Sequence, residues 1–357
     1  MIENISSMEI LDEDFEFISK IFKKSKWLRF RKKKILITGA SGFMGSYLAQ
    51  FLCYLDDSLG LELEVICLTR NRKNLITKTW VKKYQQKLRI ITEDLNNLKI
   101  KKLPAFDLCI FCASNASPIH YKTNPIETIK PNILGLINTL EQASPKSKII
   151  YISSGEVYGN QPNILLKEDN YGSINPLDTR SCYGESKRMA ENICVSYHSQ
   201  KKIDIKIIRP FHTYGPGLSK NDGRVFADFI HSAANNHSIR LTSDGAARRP
   251  FCYIADFISA LFFIHFDGKP GNAYNVSNPD QDISIKELAK LVLGIVNKTE
   301  SSIIFSKQPL NYLKSPITKQ MVSVKKLNAL GWLPSFDLLD GFTRSIHYQI
   351  EKNKEYV

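Results

Sequence analysis

Residues 35–46 read I-L-I-T-G-A-S-G-F-M-G-S, and no other stretch limits the fold of this chain so tightly. Ile35–Thr38 suits a short buried strand, glycines follow at 39, 42 and 45, and Ser46–Leu55 continues as a helix. Strands that feed helices build parallel sheets, because parallel neighbours need a crossover between them. The pattern recurs. Glu64–Leu68, Leu88–Thr92, Leu108–Ala113, Lys148–Ser153 and Ile205–Arg209 each read as an apolar strand, and helices are predicted over Ile126–Ala143 and Tyr183–His198. Pro131 marks an early turn or kink in the first of these helices. Alternation of this kind predicts an α/β chain with a doubly wound sheet covered on both faces. After Pro210 the pattern breaks at Gly215, Pro216, Gly217 and Gly223, which predicts a smaller C-terminal lobe facing the carboxyl ends of the strands. The expected division is a basic appendage over 1–33, the sheet domain over 34–210 and a lobe drawn mainly from 211–357, with discontinuous boundaries.

Small residues at a strand-to-helix turn let backbone approach a pyrophosphate, whose charge the helix N-terminus favours. Gly39, Gly42 and Gly45 therefore point to a dinucleotide and a Rossmann-type sheet, although their spacing is G-x-x-G-x-x-G. A carboxylate at the end of the second strand would accept from a ribose 2′-hydroxyl. Here Thr69 and Arg70 stand there, and an arginine suits a 2′-phosphate, so NADP is favoured over NAD. Asp94, after the third strand, is placed either to meet the adenine or to cap a helix.

Tyr183 and Lys187 lie four apart and share a helix face. A nearby ammonium favours phenolate, which predicts a tyrosine of lowered pKa. Such a phenol takes a hydroxyl proton while hydride leaves for a nicotinamide. Ser154 follows the fifth strand and can hydrogen-bond the oxygen being oxidised, and Glu156 adds a base or proton shuttle beside it.

Composition narrows the setting. Hydrophobic residues make up 43% of the 357, enough for a large core, and no apolar run is long enough to span a membrane. Glu3, Glu9, Asp12, Glu13 and Asp14 argue against a secretory signal. Seven cysteines, an odd and scattered set, read as reduced thiols, so a cytoplasmic setting is expected. Cys109 and Cys112 sit three apart on a strand and point to opposite faces, so no metal site is expected. The net charge is +14, with no specific nucleic-acid module to absorb it. Much of it lies in Lys23, Lys24, Lys26, Arg29 and Arg31–Lys34, read as a solvated face. The sharper alternative is a weak peripheral membrane contact through these cations with Phe15, Phe17, Ile18, Ile21, Phe22 and Trp27.

Several independent motifs then align. They are T-G-A-S-G-F-M-G, A-S-P-I-H-Y-K-T-N-P at 116–125, S-S-G-E-V-Y-G at 153–159, Y-G-E-S-K, R-P-F-H-T-Y-G-P at 209–216, N-D-G-R-V at 221–225 and R-R-P-F-C-Y-I-A-D at 248–256. From about Lys34 to beyond residue 290 the chain resembles the extended short-chain dehydrogenase/reductases, of the nucleotide-sugar epimerase/dehydratase family. Among its subfamilies it is most similar to UDP-glucuronate decarboxylases. The resemblance implies a nucleotide-diphosphate sugar as substrate and a homodimer joined through the helices around 126–143 and 183–198. It implies Tyr183 as acid/base, Lys187 as its partner and cofactor ligand, and Ser154 and Glu156 as catalytic neighbours. It further implies Gly39, Ser41, Gly42, Phe43, Met44, Gly45, Arg70, Asp94, Leu95 and Ala113 at the cofactor, and Ser117, His212, Arg224 and Arg249 at the substrate.

Three positions depart from the family pattern. Gly155 replaces the aspartate of 4,6-dehydratases and the serine of decarboxylases; His212 replaces an asparagine, as a neutral donor or as a cation; and Thr69-Arg70 replaces the acid. The shared chemistry is oxidation of a sugar 4-hydroxyl. Glu156 favours decarboxylation as the next step; 4,6-dehydration or 4-epimerisation ranks second, then an NADPH-dependent 4-ketoreductase. A non-catalytic sugar-nucleotide sensor is the rival outside enzymology.

Overall fold

In a computed structural model, residues 6–97, 102–161, 163–220, 222–299, 302–306 and 318–354 are described. Seven strands form one sheet: β1 (Lys34–Thr38), β2 (Glu64–Thr69), β3 (Leu88–Thr92), β4 (Leu108–Phe111), β5 (Lys148–Ile152), β6 (Asp204–Pro210) and β7 (Ala273–Val276). Their order is β7-β6-β5-β4-β1-β2-β3, and every pairing is parallel. Strand order reverses between β1 and β4. In such sheets a crevice opens at that point, outside the carboxyl ends.

The helices that matter here are α1 (Ser7–Ile21), α2 (Phe43–Leu59), α3 (Pro125–Lys130), α4 (Cys182–Lys201), α5 (Val225–Ala234), α6 (Ile254–Asp267) and α7 (Leu338–Lys354). The six strands expected from the sequence all form. The kink expected at Pro131 is a wider π-type turn over Pro131–Gly135, after which the helix resumes over Leu136–Leu140. Proline lacks the N–H that would hold a regular turn there.

Ala273–Val276 returns from the discontinuous C-terminal part to pair with Ile207–Pro210 and completes the sheet. Of the segment expected as an appendage over 1–33, residues 7–30 pack onto the main core. Phe15, Ile18, Phe22 and Trp27 are buried in the main core. Phe15 meets Tyr47 and Phe51 of α2, and Trp27 meets Phe262 of α6 edge-on at 4.9 Å. The apolar residues named for a membrane contact thus cover the aromatic face of α2 and α6. Several of the cations are paired: Lys26 with Asp267, Lys33 with Asp107, Lys34 with Glu64, and Arg31 and Lys32 with Glu62. A capping box between Ser6 and Glu9 starts α1.

The seven cysteines are free, and no metal-binding group of side chains occurs among the described residues. No described helix is long and apolar enough to cross a membrane.

Candidate active site

The crevice begins at the glycine turn. Gly39 follows β1 at φ +65°, and a Cβ there would lie 2.9 Å from Ala113 Cα, just beyond β4. A Cβ on Gly45 would lie 2.5 Å from the Gly39 carbonyl oxygen. Gly42 caps α2 with no side chain of its own, so the first N–H groups of α2, from Phe43, Met44 and Gly45, face the crevice mouth without intrahelical partners. Beside this cradle, the Ser114 and Ser117 hydroxyls are buried and have no hydrogen-bond partner among the described residues. A dinucleotide pyrophosphate fits these residues.

The adenine side differs from expectation. Ser41 Oγ and Thr69 Oγ1 share a 3.0 Å hydrogen bond, so Thr69 braces the turn. Arg70 is exposed and reaches across to donate to Asn115 Oδ1 at 3.1 Å. Asp94 accepts the Asn96 N–H at 2.9 Å and so closes a turn. Leu95 puts its side chain in the core beneath Leu136, and its carbonyl accepts from Asn138, so only its remaining backbone faces the sheet end.

Between β5 and α4 the four expected catalytic residues come together. Ser154 Oγ accepts the Glu156 N–H at 3.1 Å, and Ser154 stands close enough to the Tyr183 phenol to lower its pKa. Lys187 Nζ lies 5.8 Å from the Tyr183 ring centroid and donates to the Ile152 carbonyl at 2.7 Å. Burial dominates the electrostatics. It pushes Tyr183 up to about 12, with Ser154 and Arg224 pulling the other way, and it pushes Lys187 down to about 7. Burial thus works against the expected lowering of the phenol by the ammonium: both groups are desolvated and the amine donates to a carbonyl. A second layer fixes the strand ends. Arg209 forks onto Glu191 at 2.9 and 2.6 Å, and Glu191 also accepts from Ser153.

Three neighbours escape a reading of the sequence. The Tyr121 ring stacks on Tyr183, centroids 4.8 Å apart and planes 11° off parallel, and its hydroxyl donates to the Ala116 carbonyl. Arg180 lies 3.6 Å from Glu156. Gln320 Oε1 sits 2.7 Å from His212 Nε2. Only Tyr121 lies inside one of the family motifs, and Arg180, three residues before Tyr183, carries a positional signal.

At Gly155 a side chain has no room. Its Cβ would lie 2.5 Å from Phe211 Cε1 and 2.6 Å from Cδ1, so the Phe211 ring fills the place.

The remaining expected residues gather opposite. Gly223 brings its loop onto Ser117, where a Cβ would lie 2.9 Å from the Ser117 Oγ. Arg224 forks onto Asp222 and is close enough to Tyr183 to act on its titration. Arg249 is buried and donates to the Arg248 carbonyl at 2.7 Å. Burial and the charges of Arg249 and Arg224 hold His212 down at about 3, which makes it the neutral donor of the two expected forms. Asn221 lies outside the described residues.

Comparison with known proteins agrees. A model of the NAD dependent epimerase/dehydratase family matches residues 35–277. The chain is 33% identical over 313 residues to UDP-glucuronic acid decarboxylase 5 of Arabidopsis thaliana, covering 86% of each. It is 31% identical over 336 residues to UDP-glucuronic acid decarboxylase 1 of Xenopus tropicalis, covering 91% of this chain and 75% of that one. In fold it is similar to UDP-glucuronic acid 4-epimerase from Bacillus cereus, solved with UDP-glucuronic acid and NAD. That match has a TM-score of 0.75 at 24% identity, over 90% of this chain and 99% of that one. With its family model matched over residues 35–277 and a relative 33% identical over 86% of each chain, the chain belongs to the NAD-dependent epimerase/dehydratase family of enzymes.

Proposed function

We propose that this enzyme acts on a nucleotide-diphosphate sugar through oxidation of the sugar 4-hydroxyl, with UDP-glucuronate decarboxylation as its closest reaction. The observation that carries the reading is the buried Tyr183 beside Ser154 and Lys187 at the crevice, with Glu156 and Arg180 next to them. The backbone of Gly42–Gly45 would hold the dinucleotide pyrophosphate, and Ala113 and Lys187 would flank the rest. When bound, the nicotinamide supplies a hydride acceptor that is regenerated within the cycle.

The residues divide the work. Tyr183 removes the 4-hydroxyl proton while Ser154 orients that oxygen. Stacking on Tyr121 holds the phenol in place. A carboxylate attached to carbon 5 is β to a carbonyl at carbon 4 and departs as carbon dioxide, and Glu156 handles the proton at that end. Arg249, Arg224 and neutral His212 suit the diphosphate. Parts of the chain after residue 210 that lie outside the sheet form the substrate lobe in this reading.

A 4-epimerase is the second reading. Phe211 favours it over 4,6-dehydration, because its ring leaves no space at 155 for an acid to protonate a departing 6-hydroxyl. For the cofactor, Arg70 is the residue a 2′-phosphate would meet once drawn from Asn115. Exposed Ile126, Ile129, Met189 and Val195, on the neighbouring α3 and α4, support a homodimer. A cytoplasmic setting accords with the free cysteines.

The test is incubation with UDP-glucuronate, with products read by NMR and nicotinamide absorbance followed. Carbon dioxide and a UDP-pentose, with no net absorbance change, are expected, and Tyr183→Phe should lower the rate about 10²–10⁴-fold. A UDP-galacturonate product selects the epimerase. Stoichiometric NADPH consumption, or an unaffected Tyr183→Phe variant, would sink the reading.

A further inference from the structure

Lys187 stands in a dry place with little to hold its charge. Its Nζ donates to the Ile152 carbonyl at 2.7 Å, lies 4.8 Å from the Tyr151 ring centroid and 5.8 Å from that of Tyr183. Cys112, just after β4, and Cys194 of α4 are further titratable neighbours. Burial pushes Cys112 up to about 12 and holds Cys194 and Tyr151 well above their ordinary values, so all three stay neutral near neutral pH. A neutral thiol or phenol offers an ammonium no countercharge. Among the described residues the carboxylate that acts on Lys187 is Glu191, one turn further along the same face of α4.

Glu191 is fixed from three elements. Arg209 of β6 forks onto it at 2.9 and 2.6 Å, and Ser153, next to Ser154 at the end of β5, donates its hydroxyl to it. The side chains of this ion pair are only 11% and 12% exposed. Arg209 is held in turn, donating to the Tyr158 hydroxyl at 2.7 Å and to the Glu168 carbonyl at 3.1 Å. The Tyr158 hydroxyl then donates to Asn275 Oδ1 of β7 at 2.8 Å. A carboxylate so engaged acts on Lys187 as a stationary charge, in surroundings where charge carries further than in water.

We propose that Glu191 is a positioning residue of the reaction, which acts through Lys187 by keeping it an ammonium beside Tyr183. The inference rests on the reading of Tyr183 as the base that takes the sugar hydroxyl proton. An ammonium favours the phenolate that such a base must become, and a neutral amine does not. Burial brings Lys187 down to about 7, so one neighbouring charge decides which form it takes at neutral pH.

The titration of Lys187 is read by NMR of the full chain carrying isotope-labelled lysine, with NAD present. The Lys187 resonance is identified by its loss in Lys187→Arg. Glu191→Gln keeps the shape and removes the charge, so the Lys187 midpoint should fall by about one pH unit. The alkaline limb of kcat with UDP-glucuronate should move down with it while KM stays near wild type. Glu191→Asp, which retains a carboxylate, should hold the midpoint closer to wild type than Glu191→Gln does. Because Glu191→Gln leaves a buried guanidinium unpaired, Glu191→Gln with Arg209→Gln removes both charges and guards against loss of the fold. Its midpoint should fall as well. A wild-type midpoint in the folded double variant, or an equal fall in Glu191→Asp and Glu191→Gln, overturns the proposal. A wild type that leaves UDP-glucuronate unchanged would count against the proposed reaction and not against Glu191, because the midpoint is read without turnover.

Discussion

The Phe211 ring decides what residue 155 can be. A serine there must force the ring aside, and overpacking of this kind costs about 1–3 kcal/mol. Gly155→Ser should therefore lower thermal stability, and it should cost less in a Phe211→Ala background than in the native one. Strictly additive melting shifts across the four proteins would remove the steric coupling. Arg70 offers a second test. Its guanidinium is exposed and, among the described residues, held by Asn115, so Arg70→Ala should weaken NADP about tenfold and leave NAD nearly unchanged, as read by titration. Equal loss for both cofactors would take Arg70 away from the 2′-position. Much of the site is legible at this scale. Tyr183, Lys187, Ser154 and Glu156 occupy two short segments, and helical spacing or strand position places them. Arg180, Gln320 and Phe211 are not, because each matters through contact with a distant segment. Spacing misleads on the tyrosine pKa, since it reports the neighbouring ammonium and not the desolvation of both groups.

Among the elements, α1 departs most from its sequence reading. An amphipathic segment rich in charge looks the same whether its apolar face meets lipid or another helix. What decides it is the set of rings that Phe15 and Phe17 meet, Tyr47, Phe51, Tyr54 and Phe336, all distant in sequence. The strands are easier, since long apolar runs buried on both faces announce themselves. α1 also carries a buried acid. Asp14 accepts hydroxyl bonds from Tyr47 at 2.9 Å and Tyr253 at 2.7 Å and lies 3.3 Å from Arg344. Burial outweighs these donors and pushes Asp14 up to about 7. The folded state then holds a proton that the unfolded state releases near pH 4. That contribution is fully present below about pH 4 and is lost as pH rises through about 7, at up to about 1.4 kcal/mol per pH unit. Asp14→Asn, which mimics the protonated form, should flatten melting temperature against pH between 5 and 8. Parallel curves for the two proteins would refute the shift. Asp256, also pushed up to about 7 by burial, remains in both and sets the residual slope.

Across the molecule, the charge of +14 is distributed in two ways. The cations before β1 meet acids at the sheet's edge, whereas Arg224 and Arg249 stand at the crevice. A different face is apolar. Ile126 and Met189 are 64% and 52% exposed, and a two-fold contact between copies would bury both. Ile126→Glu with Met189→Glu should convert a dimer into a monomer in sedimentation velocity without unfolding it. A wild type that already sediments as a monomer would end that reading. The parallel architecture is legible from alternation alone, but the return of Ala273–Val276 to the sheet is not. A four-residue strand beyond a run of glycines resembles any loop segment until its partner is known.

The bond between Asp14 and Arg344 joins residues 330 apart. During synthesis the ribosome releases Arg344 330 residues after Asp14. Helix α1 has no finished seat until α7 has left the exit tunnel, so its greasy side must be shielded in the meantime. Chains halted early should depend on chaperones for the same reason, and release of the last helix should be the event that frees them.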